Sequence, residues 1–169
     1  MSVAEHKREA PEQVNVRVVT VSDTRTEETD KSGKLILDAL EQNGHRIISY
    51  TIVKDEIEFI FDAINDGAVD SSTDAIILNG GTGIAKRDVT VEAVSGMLHK
   101  EIPGFGELFR MLSYTEDIGS AAIMSRAVAG VYEDTAVFSI PGSSGAVKLA
   151  MSKLIIPELN HIVREIRKD

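Results

Sequence analysis

Twelve residues of the sequence, "NGGTGIAKRDVT" from Asn79 to Thr90, combine three glycines, two threonines, two cations and one carboxylate directly after the apolar run "AIIL". A glycine cluster behind a strand serves a tight turn or the close approach of another group to the backbone. Its N–H groups can face an anion, and Asp88 adds a carboxylate of the kind that holds a hard cation beside phosphates. The stretch is neither a P-loop, for want of Gly-Lys-Ser/Thr, nor a dinucleotide fingerprint, for want of its last glycine. Turn and ligand loop therefore both stand. Asp88, and Asp55 in "VKDE", have the same two readings, as helix-capping carboxylates or as ligands of a metal and its phosphates. "IPGSSG" places Gly142, Ser143 and Ser144 ahead of a helix, where N–H groups and hydroxyls suit an anion. It is not a nucleophile elbow, because G-x-S-x-G is not met and no histidine is near. His6, His45, His99 and His161 are scattered without metal-ligand spacing and read as surface or packing residues.

The elements that must position these groups follow from periodicity. "NVRVVTV" is a β-branched strand ending in the polar loop "SDTRTEETDKSGK". Residues 33–43 repeat apolar positions at helical spacing, and residues 45–53 form a second strand. A second helix carries Ile57, Ile60, Phe61 and Ile64 on one face. Residues 74–78 carry the continuous apolar run "AIIL", a short strand suited to the middle of a parallel sheet. A helix over residues 89–98 follows, with Thr90 as its N-cap, then a short helix over residues 107–113. Two strands joined at Glu133-Asp134 and two closing helices complete the chain. The alternation predicts an α/β three-layer sandwich with a mainly parallel sheet and one antiparallel edge strand. In such sheets ligands bind outside the carboxyl ends of the strands. Loops 22–25, 54–56, 79–90 and 141–144 should meet there, three of them bearing Asp23, Asp55 and Asp88.

The 169 residues suit one domain, read as a flexible tail over residues 1–13 and a folded unit over residues 14–169. The absence of cysteine excludes disulfides, thiolate metal sites and a cysteine nucleophile. With no signal-like or membrane-spanning run, the expected location is the cytoplasm. A net charge of -9 disfavours nucleic acid and anionic membranes as partners, so an anionic ligand needs a local site.

These residues together resemble the MoaB/MogA family of molybdenum cofactor biosynthesis proteins. The carriers, in order, are "VSDTR", "GGTGIAKRDVTVEAV", "EIPGFGELFRMLSY", "SRAVAG" and "SIPGS", spread over nearly the whole chain. The resemblance implies an adenylyltransferase that binds molybdopterin and Mg-ATP and releases adenylyl-molybdopterin and pyrophosphate. It further implies that Asp55 and Asp88 are the catalytic carboxylates and the Mg²⁺ ligands. Asp23, Gly80, Gly81, Thr82, Gly83, Pro141, Gly142 and Ser143 would line the substrate. Members assemble as trimers or pairs of trimers, which gives the apolar "ELFRMLSY" a role as an oligomer surface. Some members of the family bind without turnover, and a non-catalytic binding or assembly protein is the alternative. Asn79 departs from the family, where threonine commonly precedes "GGTG".

Overall fold

A computed structural model of the chain describes residues 2–168. Six strands form one sheet: β1 (Asn15–Val21), β2 (Arg46–Val53), β3 (Ala75–Asn79), β4 (Lys100–Glu101), β5 (Val128–Tyr132) and β6 (Thr135–Ile140), in the order β2-β1-β3-β6-β5-β4. The first four in that order are parallel, with Val18 opposite Ile77 and Ile77 opposite Phe138. β5 runs antiparallel to β6 through the Glu133-Asp134 turn, where Glu133 takes a φ of 51°. β5 is not itself the edge, because the two-residue β4 pairs antiparallel on its outer side.

The described residues form seven α-helices, α1 (Val3–Glu9), α2 (Lys31–Gln42), α3 (Ile57–Val69), α4 (Thr90–Met97), α5 (Pro103–Glu116), α6 (Ser144–Ala150) and α7 (Ile156–Arg167), of which α2 to α7 cover the sheet and α1 packs on α7. A π-helical segment, Met151–Ile155, joins α6 to α7. The period-two alternation of the strands sends Val16, Val18, Ile77 and Phe138 to one face, where α2, α5, α6 and α7 bury Ile36, Phe109, Val147 and Leu159 against them. Val19, Ile76, Leu78 and Val137 point to the other face, under Ile60 and Ile64 of α3 and Val94 of α4. Each fully buried side chain of this size contributes about 1.5–3 kcal/mol. Three layers result, with β3 buried along its whole length.

Four local expectations are corrected. The α3 face that packs is Ile60, Ile64 and Gly67, whereas Ile57 and Phe61 lie exposed. α5 begins at Pro103, since proline at the first helical position loses no hydrogen bond, and runs to Glu116. Thr90 is the first residue of α4, not its cap; Val89 holds the cap position without a side-chain bond. Within the stretch expected to be a flexible tail, Val3–Glu9 is helical, and Ser2 and Glu5 form a reciprocal capping box that starts α1. Lys7–Glu158 and Arg164–Glu9 ion pairs then tie α1 to α7. Among the described residues no helix is long and apolar enough to cross a membrane.

Candidate functional site

The chain leaves β1 toward β2 on one side and returns to β3 on the other, so the topological switch point falls between β1 and β3. Parallel sheets open a crevice at that point, beyond the carboxyl ends of the strands. The loops after β1, β2, β3 and β6 meet there. The backbone N–H of Asp55 donates to Asp23 Oδ1 at 3.1 Å, joining the first two loops. The N–H of Gly80 donates to the Ile140 carbonyl at 3.1 Å, joining the other two, and the Arg25 guanidinium donates to the Gly142 carbonyl at 2.9 Å, joining the β1 loop to the β6 loop.

The glycine loop is shaped by positive φ at Gly80 (96°) and Gly81 (66°), a region that side chains with a Cβ rarely adopt. Space forbids a side chain as well. A Cβ on Gly81 would strike Thr90 Oγ1 and come within 2.8 Å of Asp55 Oδ1, and one on Gly83 would come within 2.6 Å of Asp88 Oδ2. Asp55, Thr90 and Asp88 thus press against the loop's backbone. Asp88 Oδ2 accepts the Ala85 N–H at 2.9 Å and so pins the turn from inside. Among the described residues, the N–H groups of Thr82 and Gly83 meet no acceptor. The Thr90 hydroxyl is buried and without a hydrogen-bond partner, a state that native interiors seldom leave unfilled.

Asp55 carries the electrostatic tension of the site. Burial raises its carboxyl above the ordinary range, and the charges of Asp23 and Asp88 add to the rise. Asp23 is held low by the Arg87 guanidinium, which grips both its oxygens at 2.7 and 3.1 Å. Arg87 therefore neutralises a carboxylate on the rim, while Lys86 stands exposed. A cleft of about 400 Å³ opens between Asp55, Ile57, Lys86, Arg87 and Val89. A larger cleft of about 940 Å³ lies at the opposite end of the sheet, against Asp70, Thr73 and Arg167, away from all four loops.

On the β6 side, Gly142 packs its backbone against Gly80, with only 3.1 Å left for a Cβ before the Gly80 Cα. Pro141 leads into it, and Ser143 caps α6 by accepting the Ala146 N–H at 3.3 Å. Asn79 belongs to a different layer. It is wholly buried, donates to Thr20 Oγ1 at 2.9 Å and accepts from Ser32 Oγ at 2.9 Å. That makes it part of a network around Asp30, beneath the site.

Sequence reasoning passed over two residues. Arg126 donates to the carbonyls of Thr82 (3.0 Å) and Gly83 (2.6 Å) and pairs with Glu92, so one guanidinium fastens the glycine loop to α4. Arg25 does the same for the β1 and β6 loops, also donating to Ser32 Oγ at 2.6 Å. Both lie inside the quoted segments "SRAVAG" and "VSDTR", but nothing local in either stretch tells a clamp from a surface cation.

Comparison with known proteins bears on what this arrangement is for. The family described as a probable molybdopterin binding domain matches residues 17–161. Molybdenum cofactor biosynthesis protein B of Bacillus subtilis is 69% identical over 169 residues, 100% of this chain and 99% of its own length. A crystal structure of a molybdenum cofactor biosynthesis protein B superposes with a TM-score of 0.92 at 58% identity, covering 95% of this chain and 100% of that one. The tungsten cofactor synthesizing protein MoaB from Pyrococcus furiosus gives a TM-score of 0.83 at 38% identity, covering 94% and 100%. A molybdopterin-binding domain, on this fold and with these loops, makes the chain a member of the MoaB/MogA family of molybdenum cofactor biosynthesis proteins.

Proposed function

We propose that the protein adenylylates molybdopterin with Mg-ATP, giving adenylyl-molybdopterin and pyrophosphate. The observation that carries this reading is Asp55, a carboxylate raised by burial and by two neighbouring aspartates at the rim of a glycine loop. Such a concentration of negative charge is unfavourable until a cation joins it, and perturbed groups of this kind mark functional sites.

The donors fit magnesium, which takes one or two carboxylates and completes its shell with water and phosphate oxygens. Asp55 and Asp88 would hold it, with the unpartnered Thr90 hydroxyl at the same seam. When bound, Mg²⁺ supplies neutralisation of the charge on the reacting phosphates. The remaining work falls to this chain's own groups. The N–H groups of Thr82 and Gly83 receive anionic oxygens, with Gly80, Gly81, Pro141, Gly142 and Ser143 lining the molybdopterin phosphate. Asp23, paired with Arg87, forms the rim on the β1 side. Arg126 and Arg25 keep the loops from yielding as two anions are brought together, so that alignment is built in before substrate arrives. An oxygen of the molybdopterin phosphate attacks the α-phosphorus of ATP, the bond from that phosphorus to the bridging oxygen breaks, and pyrophosphate leaves with the electron pair. No enzyme nucleophile is required.

The test is incubation with molybdopterin, ATP and Mg²⁺, followed by chromatographic and mass-spectrometric detection of adenylyl-molybdopterin. Product above the enzyme-free blank supports turnover. Tight molybdopterin binding with no product would leave the non-catalytic reading in its place. Asp55→Asn keeps the shape and removes the charge; it should abolish product while molybdopterin binding persists. Self-association as a trimer or hexamer is part of the same proposal, supported by the α5 face on which Leu108 (47%), Met111 (54%) and Tyr114 (61%) are exposed. Light scattering of the Met111→Lys variant tests it, a monomer being the expected outcome.

A further inference from the structure

His6 and His161 stand 155 positions apart, yet the packing of α1 on α7 brings their rings to 5.8 Å, edge to face. Glu165 lies one helical turn beyond His161 on the same face of α7. His6 Nδ1 is 3.1 Å from Glu165 Oε1, and His161 Nε2 is 3.9 Å from the same oxygen. One ligand atom from each residue lies within 4.8 Å of the other two. Tetrahedral coordination at the usual Zn–N and Zn–O bond lengths sets ligand atoms about 3.4 Å apart. The three atoms therefore bracket the space of one ion.

A second feature is independent of that spacing. His161 Nδ1 is 3.0 Å from Glu158 Oε2, and Lys7 holds the other oxygen of Glu158 at 2.5 Å. A carboxylate anchoring one imidazole nitrogen fixes the tautomer, so that the other nitrogen offers its lone pair toward Glu165 and His6. This is the supporting shell typical of a metal-bound histidine. The two histidine side chains are largely shielded, at 19% and 18% exposure, while Glu165 at 38% leaves a path from solvent. Arg164 at 2.6 Å and Lys168 at 3.8 Å also face Glu165, and they compensate its charge in the absence of an ion. Arg164 keeps Glu9 as a partner when the carboxylate turns to a metal.

We propose that His6, His161 and Glu165 form a site for a borderline divalent transition ion such as Zn²⁺, with water in the fourth position, which clips α1 to α7. Two imidazoles and a carboxylate suit zinc, and the same set disfavours Mg²⁺, which prefers oxygen donors.

The experiment uses tag-free full-length protein stripped with chelator. Co²⁺ titration followed by visible absorption reports ligand geometry, and calorimetry with Zn²⁺ reports stoichiometry. One ion per chain is expected in the wild type and in the Asp55→Asn, Asp88→Asn double variant, which separates this site from the carboxylates at the sheet edge. His6→Ala should weaken binding at least about tenfold, and Glu158→Gln should weaken it about 10–100-fold with all three ligands intact. α1 contributes no buried residue, so His6→Ala leaves the folded core in place, as circular dichroism will verify. Zn²⁺ should also slow tryptic cleavage after Lys7 and Arg8. Wild-type protein that binds neither ion, or His6→Ala protein that binds as tightly as wild type, overturns the proposal.

Discussion

Asp30 is wholly buried and ringed by donors: Thr20 and Tyr50 hydroxyls at 2.6 and 2.5 Å on Oδ2, and the Gly33 N–H at 3.0 Å and the Arg25 guanidinium at 3.5 Å on Oδ1. Asp30→Asn keeps the volume but turns one acceptor into an NH₂. Either orientation of the amide sets donor against donor. The less costly one faces the two hydroxyls, which must then find new acceptors for their protons in a closed space. Two hydrogen bonds to a charged acceptor are lost, at about 1.5–3 kcal/mol each. Relief of the buried charge returns part of that. A net destabilisation of about 2–4 kcal/mol remains, a large fraction of the roughly 5–15 kcal/mol by which domains are stable. Urea unfolding at pH 7, wild type against variant, measures it. The pH dependence adds a second, signed test. Burial alone would raise the Asp30 carboxyl, but the combined hydrogen bonds outweigh it and hold the folded-state pKa below the ordinary value. The advantage is thus fully present above the unfolded pKa of about 3.9 and fades as pH falls through the folded one. A gap under about 1 kcal/mol at pH 7, or one that widens on acidification, refutes this account of Asp30.

Three further outcomes are expected. Gly81→Ala forces a Cβ into positive φ and into Thr90 and Asp55, costing about 1–3 kcal/mol in a melt and abolishing turnover; full activity would show the loop to be soft. Arg126→Lys gives one ammonium in place of a fork that spans two carbonyls and Glu92, so product formation should fall at least about tenfold with little change in melting temperature. His45 is buried, its Nδ1 accepts the Val14 N–H at 3.2 Å, and burial lowers its pKa from 6.5. The unfolded chain then binds the extra proton, so stability is complete above about pH 6.5 and declines below it; urea midpoints at pH 8 and pH 5.5 should differ more in wild type than in His45→Asn.

The parallel core was legible because residues 74–78 read as a strand that buries both faces and "NVRVVTV" as a β-branched one. The registration of helix faces was not. Ile57, Ile60, Phe61 and Ile64 all satisfy helical spacing, and only the position of the sheet decides that Ile60 and Ile64 pack while Ile57 and Phe61 meet solvent. Thr90 was one residue from the cap position, an offset that sequence signals do not resolve. The meeting of the aspartate-bearing loops followed from topology alone, since parallel strands deliver their following loops to one edge. The clamps were hidden for the opposite reason. Arg126 reaches Thr82 across 44 positions and Arg25 reaches Gly142 across 117, and no local pattern encodes such pairs. Asn79 was readable as a departure, but its partners Thr20 and Ser32 come from β1 and α2.

The crevice between β1 and β3, roofed by the loop after β6, is assembled from Asn15–Val21, Ala75–Asn79 and Thr135–Ile140, segments that span most of the chain. Closing contacts between such distant segments is the slow event in folding, because loop entropy is lost before the contacts form. A fragment that lacks the β6 half loses the Ile140 carbonyl that holds the Gly80 N–H and the Gly142 backbone that packs on Gly80. On the proposed function, molybdopterin engages only the completed sheet, and by mass action it should protect β3 amides against exchange through the global opening of the chain, so that ligand affinity becomes readable in amide-exchange protection.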